Sequence, residues 1–168
     1  MAVFRIAATI ICLIVSYGVS AAEVPAAIAA TGETAVFQAH AEGAQIYECK
    51  TGQSSEQLGW RFREPVAALF EGGNTVGVHY AGPKWQIGND VIAAKVTASA
   101  PSPSGKNIPW LKLQVTTDAN AGPLRGIIGI QRLNTVGGVL EGACEKAGEL
   151  RPVPYGADYV FLKKQQRQ

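Results

Sequence analysis

The feature that most limits this chain is a two-residue hydrophobic period that recurs along most of its length. Leu58, Trp60 and Phe62 alternate with Arg61 and Arg63. Residues 75–80 sort Val76, Val78 and Tyr80 from Thr75, Gly77 and His79. The same beat runs through residues 35–41, 45–50, 92–98, 111–116 and 155–161. Such alternation puts successive side chains on opposite faces of an extended strand, and no amphipathic helix satisfies it. Residues 125–135 carry Ile on both faces and read as an interior strand. Gly, Pro, Asn and Asp at 71–74, 82–83, 88–90 and 101–107 punctuate the runs as turns and loops. Gly43 is expected to end one run and Glu64-Pro65 another, with one helical turn over residues 66–70. The expected class is all-β: about eight mainly antiparallel strands in a barrel or a two-sheet sandwich.

The first 22 residues read as a signal peptide. Arg5 gives a positive start, residues 6–15 form an apolar run of about ten, and Ser20 and Ala22 suit cleavage before Glu23. That run is too short to cross a bilayer comfortably; an uncleaved N-terminal anchor is the rival reading. Residues 23–32 then form a lead-in, 33–162 a single domain and 163–168 a basic tail. The expected location is secreted or periplasmic. Of 3 cysteines, Cys12 falls inside the apolar run, which leaves Cys49 and Cys144. Export places that pair where disulfides persist, so one bridge is expected to close the fold. The alternative, a reactive thiol pair, lacks a C-x-x-C spacing.

The net charge is only +2 and the basic residues do not cluster, which speaks against nucleic acid as a partner. A membrane-spanning barrel would need Arg61, Arg63, Lys95 and Lys112 in its lumen. No stable membrane span is expected once the leader is removed.

Several phrases in order carry a resemblance. They are Gln45-Ile46-Tyr47-Glu48-Cys49, Gly77-Val78-His79-Tyr80 with Gly82-Pro83 and Trp85, and Ile108-Pro109-Trp110-Leu111. Ile130-Gln131-Arg132 follows with Asn134-Thr135, then Val153-Pro154-Tyr155 with Ala157-Asp158-Tyr159 and Phe161. Together they resemble the secreted family catalogued as domain of unknown function 3455, over roughly residues 33–162. The resemblance implies a secreted or periplasmic single domain and no agreed activity. Lys112, where the family usually has Leu, and the turn at residues 87–90 depart from the family pattern.

Four groups of residues could carry chemistry. His79 could act as acid, base or ligand near neutral pH if its strand face lines a cavity; the simpler reading is a histidine bonded to a neighbouring strand or loop. His79 with Asp90 or Asp158 is the candidate catalytic set. Asp158 interrupts an apolar pattern and needs a partner if buried. Arg132 is the natural one, as a structural ion pair sooner than a catalytic pair. His40 and His79, with Glu48, Asp90 or Asp158, form a weak metal candidate, because no H-x-H or H-x-x-x-H spacing exists; no cofactor is expected. Trp85 and Trp110 sit at loop–strand junctions, where rings can cap an apolar pocket or stack on a sugar. With His79 and Tyr80 they make the candidate ligand-binding set.

The first expectation for function is an exported β-domain that binds a small apolar or amphipathic molecule, or an envelope component such as a glycan. A hydrolase or isomerase using His79 with a carboxylate is the second. A structural or interaction module is the third. The sequence carries neither G-x-S-x-G nor G-x-G-x-x-G, so the enzyme reading has no motif behind it.

Overall fold

A computed structural model describes residues 23–52, 55–117, 119 and 121–166. The expected leader and its cleavage site lie outside them. Eight antiparallel strands follow one another around a single sheet: β1 (Glu33–Gly52), β2 (Ser55–Glu71), β3 (Asn74–Tyr80), β4 (Lys84–Ile87), β5 (Asp90–Ala100), β6 (Trp110–Val115), β7 (Gly129–Gly137) and β8 (Leu150–Lys164). Each pairs with the next, and β8 returns to β1, so the sheet is a closed barrel and not a sandwich. Closure removes the free edge from the wall itself, while β2 is paired with β3 only over Ala67–Glu71.

The two longest strands are longer than the sequence suggests. β1 runs straight through Gly43, where a run was expected to end. A Cβ at Gly43 would lie 2.1 Å from the Val66 carbonyl oxygen, so glycine lets β2 approach there and does not stop the strand. β2 likewise continues through Pro65, and residues 66–70 are strand, not the expected helical turn. His40 pairs with Phe70 and Ala44 with Val66 along this stretch. The ladder supplies partners all along it, which a lone turn would not.

The inner face holds the core. Ala39, Ala41 and Ala67 are small there, and Trp85, Tyr155, Tyr159 and Phe161 are large. An eight-stranded barrel is just wide enough for side chains to fill, and small residues beside large ones fit that space. Leu124 and Ile127, from the connection between β6 and β7, are buried with this core and plug one end. Charged side chains such as Arg61, Lys95 and Lys50 stand exposed on the outer wall. Among the described residues no helix is long and apolar enough to cross a membrane.

Two satellite clusters brace the wall. The lead-in does more than introduce the domain: a short 3-10 turn, Ala26–Ile28, lies on the outside. Ile28 is fully buried there with Ala100, Trp110 and Leu133, and Gln131 Nε2 donates to its carbonyl at 2.6 Å. Lys112, the departure from the family pattern, pairs with Glu33 at the start of β1.

At the other end of the barrel β1 and β2 extend beyond the wall as a hairpin, beginning at a register shift between Ile46 and Tyr47. The Cys49–Cys144 disulfide, with Cα atoms 5.9 Å apart, ties this hairpin to residues 138–149. Cys49 N donates to Glu149 O, Gly148 N to Cys49 O and Trp60 N to Gly142 O. Tyr47, Cys49 and Trp60 form a small core under this cover.

Candidate functional site

The unplugged end opens onto a cavity of about 380 Å³. Gln45 on β1, Phe62, Arg63 and Pro65 on β2, and the Gly82-Pro83 turn form one side. Val96, Leu111, Leu113 and Arg132 form the other. His79, Trp85 and Tyr159 make the floor.

Register explains why these three meet. Trp85 is the cross-strand partner of His79, and both point inward with Ala67 and Ile92. The imidazole stacks on the indole at 4.4 Å and 14° between planes. Tyr159 stands edge-on to both, at 4.9 Å from His79 and 5.3 Å from Trp85.

His79 is only 3% exposed. Its Nδ1 lies 2.8 Å from the Lys84 carbonyl oxygen, which can only accept. Nδ1 therefore carries the proton, and Nε2 is left as an acceptor. Burial lowers the imidazole from 6.5 to about 4; the bond to Lys84 opposes that and the Arg132 cation adds to it. Near neutral pH His79 is uncharged.

The sign of the linkage follows. Between pH 6.5 and 4 the unfolded chain takes up a proton at this site and the folded chain does not, so stability falls as pH falls. From pH 7 to pH 4 His79 should remove about 3 kcal/mol of folding free energy. Urea denaturation across that range, compared with His79→Gln, measures it. Parallel curves for the two proteins would show that the imidazole titrates normally.

Polar groups around the cavity are under-used. Trp85 Nε1, Gln45 Nε2 and the Tyr155 and Tyr159 hydroxyls are buried without a partner in bonding geometry, as is Trp110 Nε1 in the outer cluster. Tyr155 nonetheless lies beside Tyr159 and Gln45, and Tyr159 beside Arg132, close enough for these neighbours to act on the two phenols. Burial raises both phenols above their ordinary range, so both remain protonated. Arg132, paired across strands with Tyr159 and Leu111, donates from Nε at 3.1 Å and Nη2 at 2.8 Å to one acceptor, the Pro109 carbonyl.

The sequence candidates divide. His79 and Trp85 line the cavity. Tyr80, next along β3, takes the opposite face, and Trp110 is buried in the cluster around Ile28. Asp158 does not reach Arg132. Asp158 is the partner of Leu133, one place out of step with the Arg132–Tyr159 pair, so the two side chains leave opposite faces of the wall. Asp158 instead bonds His40 Nδ1 at 2.8 Å and Asn134 Nδ2 at 2.8 Å.

Asp90 stands at the start of β5 beside Gly122, at the plugged end, and Glu48 pairs with Lys50 on the hairpin. No carboxylate lines the cavity among the described residues. His40 is on the outer wall and His79 inside, so the expected metal pair is split by the sheet. Among the described residues no three His, Cys, Asp or Glu side chains gather to hold a metal ion. Sequence reasoning did not place Gln45, Tyr159 or Arg132 in the site. Arg132 had a readable signal: it is the charge on a strand with apolar residues on both faces.

Fold and site together define a small disulfide-tied antiparallel barrel, plugged at one end and opening at the other onto an aromatic cavity. The chain belongs to the family described as "Protein of unknown function (DUF3455)", whose model matches residues 29–75 and 71–163. No curated protein and no solved structure matches it.

Proposed function

We propose that this protein is an exported barrel that holds a small amphipathic molecule in its open end. One observation carries the reading: a cavity of about 380 Å³ whose floor is His79, Trp85 and Tyr159 and whose buried donors lack partners. Cavities of that size, mostly apolar with a few converging polar groups, suit small ligands. Export is supported by the leader-like start of the sequence and by the Cys49–Cys144 bond, which belongs to an oxidising compartment.

Binding is favoured over hydrolysis or isomerisation because His79 is buried, uncharged near neutrality and without a carboxylate beside it among the described residues. It is favoured over a purely structural role because the cavity is of ligand size and lined mostly by apolar and aromatic side chains.

The fluorescent amine N-phenyl-1-naphthylamine is a suitable probe. The wild-type protein should bind it saturably. Val96→Trp, which sets a bulky ring on a half-exposed position at the mouth, should weaken binding about tenfold, roughly 1.4 kcal/mol. Absence of saturable binding, or equal affinity in the two proteins, would remove this reading. Native mass spectrometry of exported protein would then name the resident molecule.

A further inference from the structure

We propose that the open cavity is built for an organic anion, with a flat apolar body against the aromatic floor and its acidic group on the guanidinium of Arg132. This rests on the binding reading above and adds the charge and shape of the ligand.

The first argument is the state of Arg132. It is partly buried, it projects into the cavity, and the contact it makes through Nε and Nη2 is to the single neutral oxygen of Pro109. Two of its five N–H groups are thus directed to one carbonyl, and the polar group beside the others is the neutral Tyr159 hydroxyl. No carboxylate among the described residues lining the cavity balances its charge. A cation that lines a mostly apolar cavity gains from a counter-charge, and the planar fork of a guanidinium matches the two oxygens of an acid group.

The second argument is independent and comes from the unpaired atoms. Trp85 is 1% exposed, Tyr159 1% and Gln45 2%. Their orphaned atoms are an indole N–H, an amide NH₂ and a phenol hydroxyl. The indole nitrogen and the amide nitrogen can only donate, and the phenol still has its proton to give. A guest supplying acceptors is the chemistry these donors would pair with once the side chains shift to meet it. A cationic guest would meet Arg132, while Arg63 at the rim is already paired with Glu64.

The third argument concerns shape. Trp85, His79 and Tyr159 offer ring surfaces, and Leu111, Leu113 and Val96 close the opposite side with aliphatic groups. A flat ring system fills such a slot.

Two dyes isolate the charge. N-phenyl-1-naphthylamine and 1-anilinonaphthalene-8-sulfonate share one skeleton and differ by the sulfonate. The wild-type protein should bind the sulfonate at least about tenfold more tightly. Arg132→Leu should bring the two affinities together, and Arg132→Lys should keep much of the preference. Lys95→Gln, on the outer wall, should leave the ratio as in wild type. Circular dichroism and denaturation midpoints check each variant's fold. If Arg132→Leu does not fold, Arg132→Gln replaces it, and the wild-type ratio decides by itself in any case.

Equal affinities in the wild type, or a preference that survives loss of Arg132, would overturn the anion inference. Amine binding that Val96→Trp weakens would still support the cavity as a binding site. Failure of both dyes to bind would overturn the two together.

Discussion

Replacing Trp85 by alanine is expected to destabilise the barrel by about 3–5 kcal/mol, the range for emptying a large aromatic from a packed core. Trp85 is 1% exposed and the hub of four rings: it stacks on His79, meets Tyr159 edge-on, and has Phe161 at 6.5 Å and 89°. It also sits on β4, a strand of four residues whose other core side chain is Ile87. Neighbouring Ala67 and Ala94 are too small to collapse into the space. Trp85→Phe keeps a ring there and should lose roughly half as much. Urea denaturation at pH 7 measures both. A loss of under about 1 kcal/mol for Trp85→Ala would mean that the indole is not a core residue.

The double variant Cys49→Ala, Cys144→Ala is expected to lose about 4.7 kcal/mol on the loop-closure model, since the bridged residues are 95 apart in sequence. The loss has a local side too. The bond pins residues 138–149 over the hairpin, and Phe62, 51% exposed, leans edge-on against Tyr47 at 5.9 Å from that hairpin. Phe62, Arg63 and Gln45 wall the cavity from the same strands. Hydrogen exchange should therefore quicken first at Tyr47–Cys49 and Leu58–Trp60, with dye binding weakened under conditions where the barrel remains folded. Uniform loss of protection across all eight strands would show that the hairpin and barrel melt as one unit.

The strand period made the class of the fold legible, because every half-buried strand repeats the same rule. The count of about eight strands agrees with the structure through two compensating differences. Residues 35–41 and 45–50 are one strand, β1, because Gly43 admits the close approach of β2. β4, only four residues long and lying just after Gly82-Pro83, is too short for alternation to register. The disulfide followed from the number of cysteines and the expectation of export. Barrel closure did not, since the pairing of β8 with β1 depends on strand lengths and register across more than a hundred residues. The candidate site was half legible for the same reason. A period of two says which residues share a face, so His79 was set apart from Val76, Val78 and Tyr80. It does not say which face is inside. Nor does it tell which charge on β7 and which on β8 leave by the same side, and the expected Arg132–Asp158 pair failed on that one-residue offset.

With Leu124 and Ile127 buried at one end, the cavity among the described residues is reached from the other, as in a cup. A guest must enter leading end first and back out along the same route. Anything attached to its trailing end stays in solvent, so such a cup could grip the tip of a much larger molecule without enclosing the remainder.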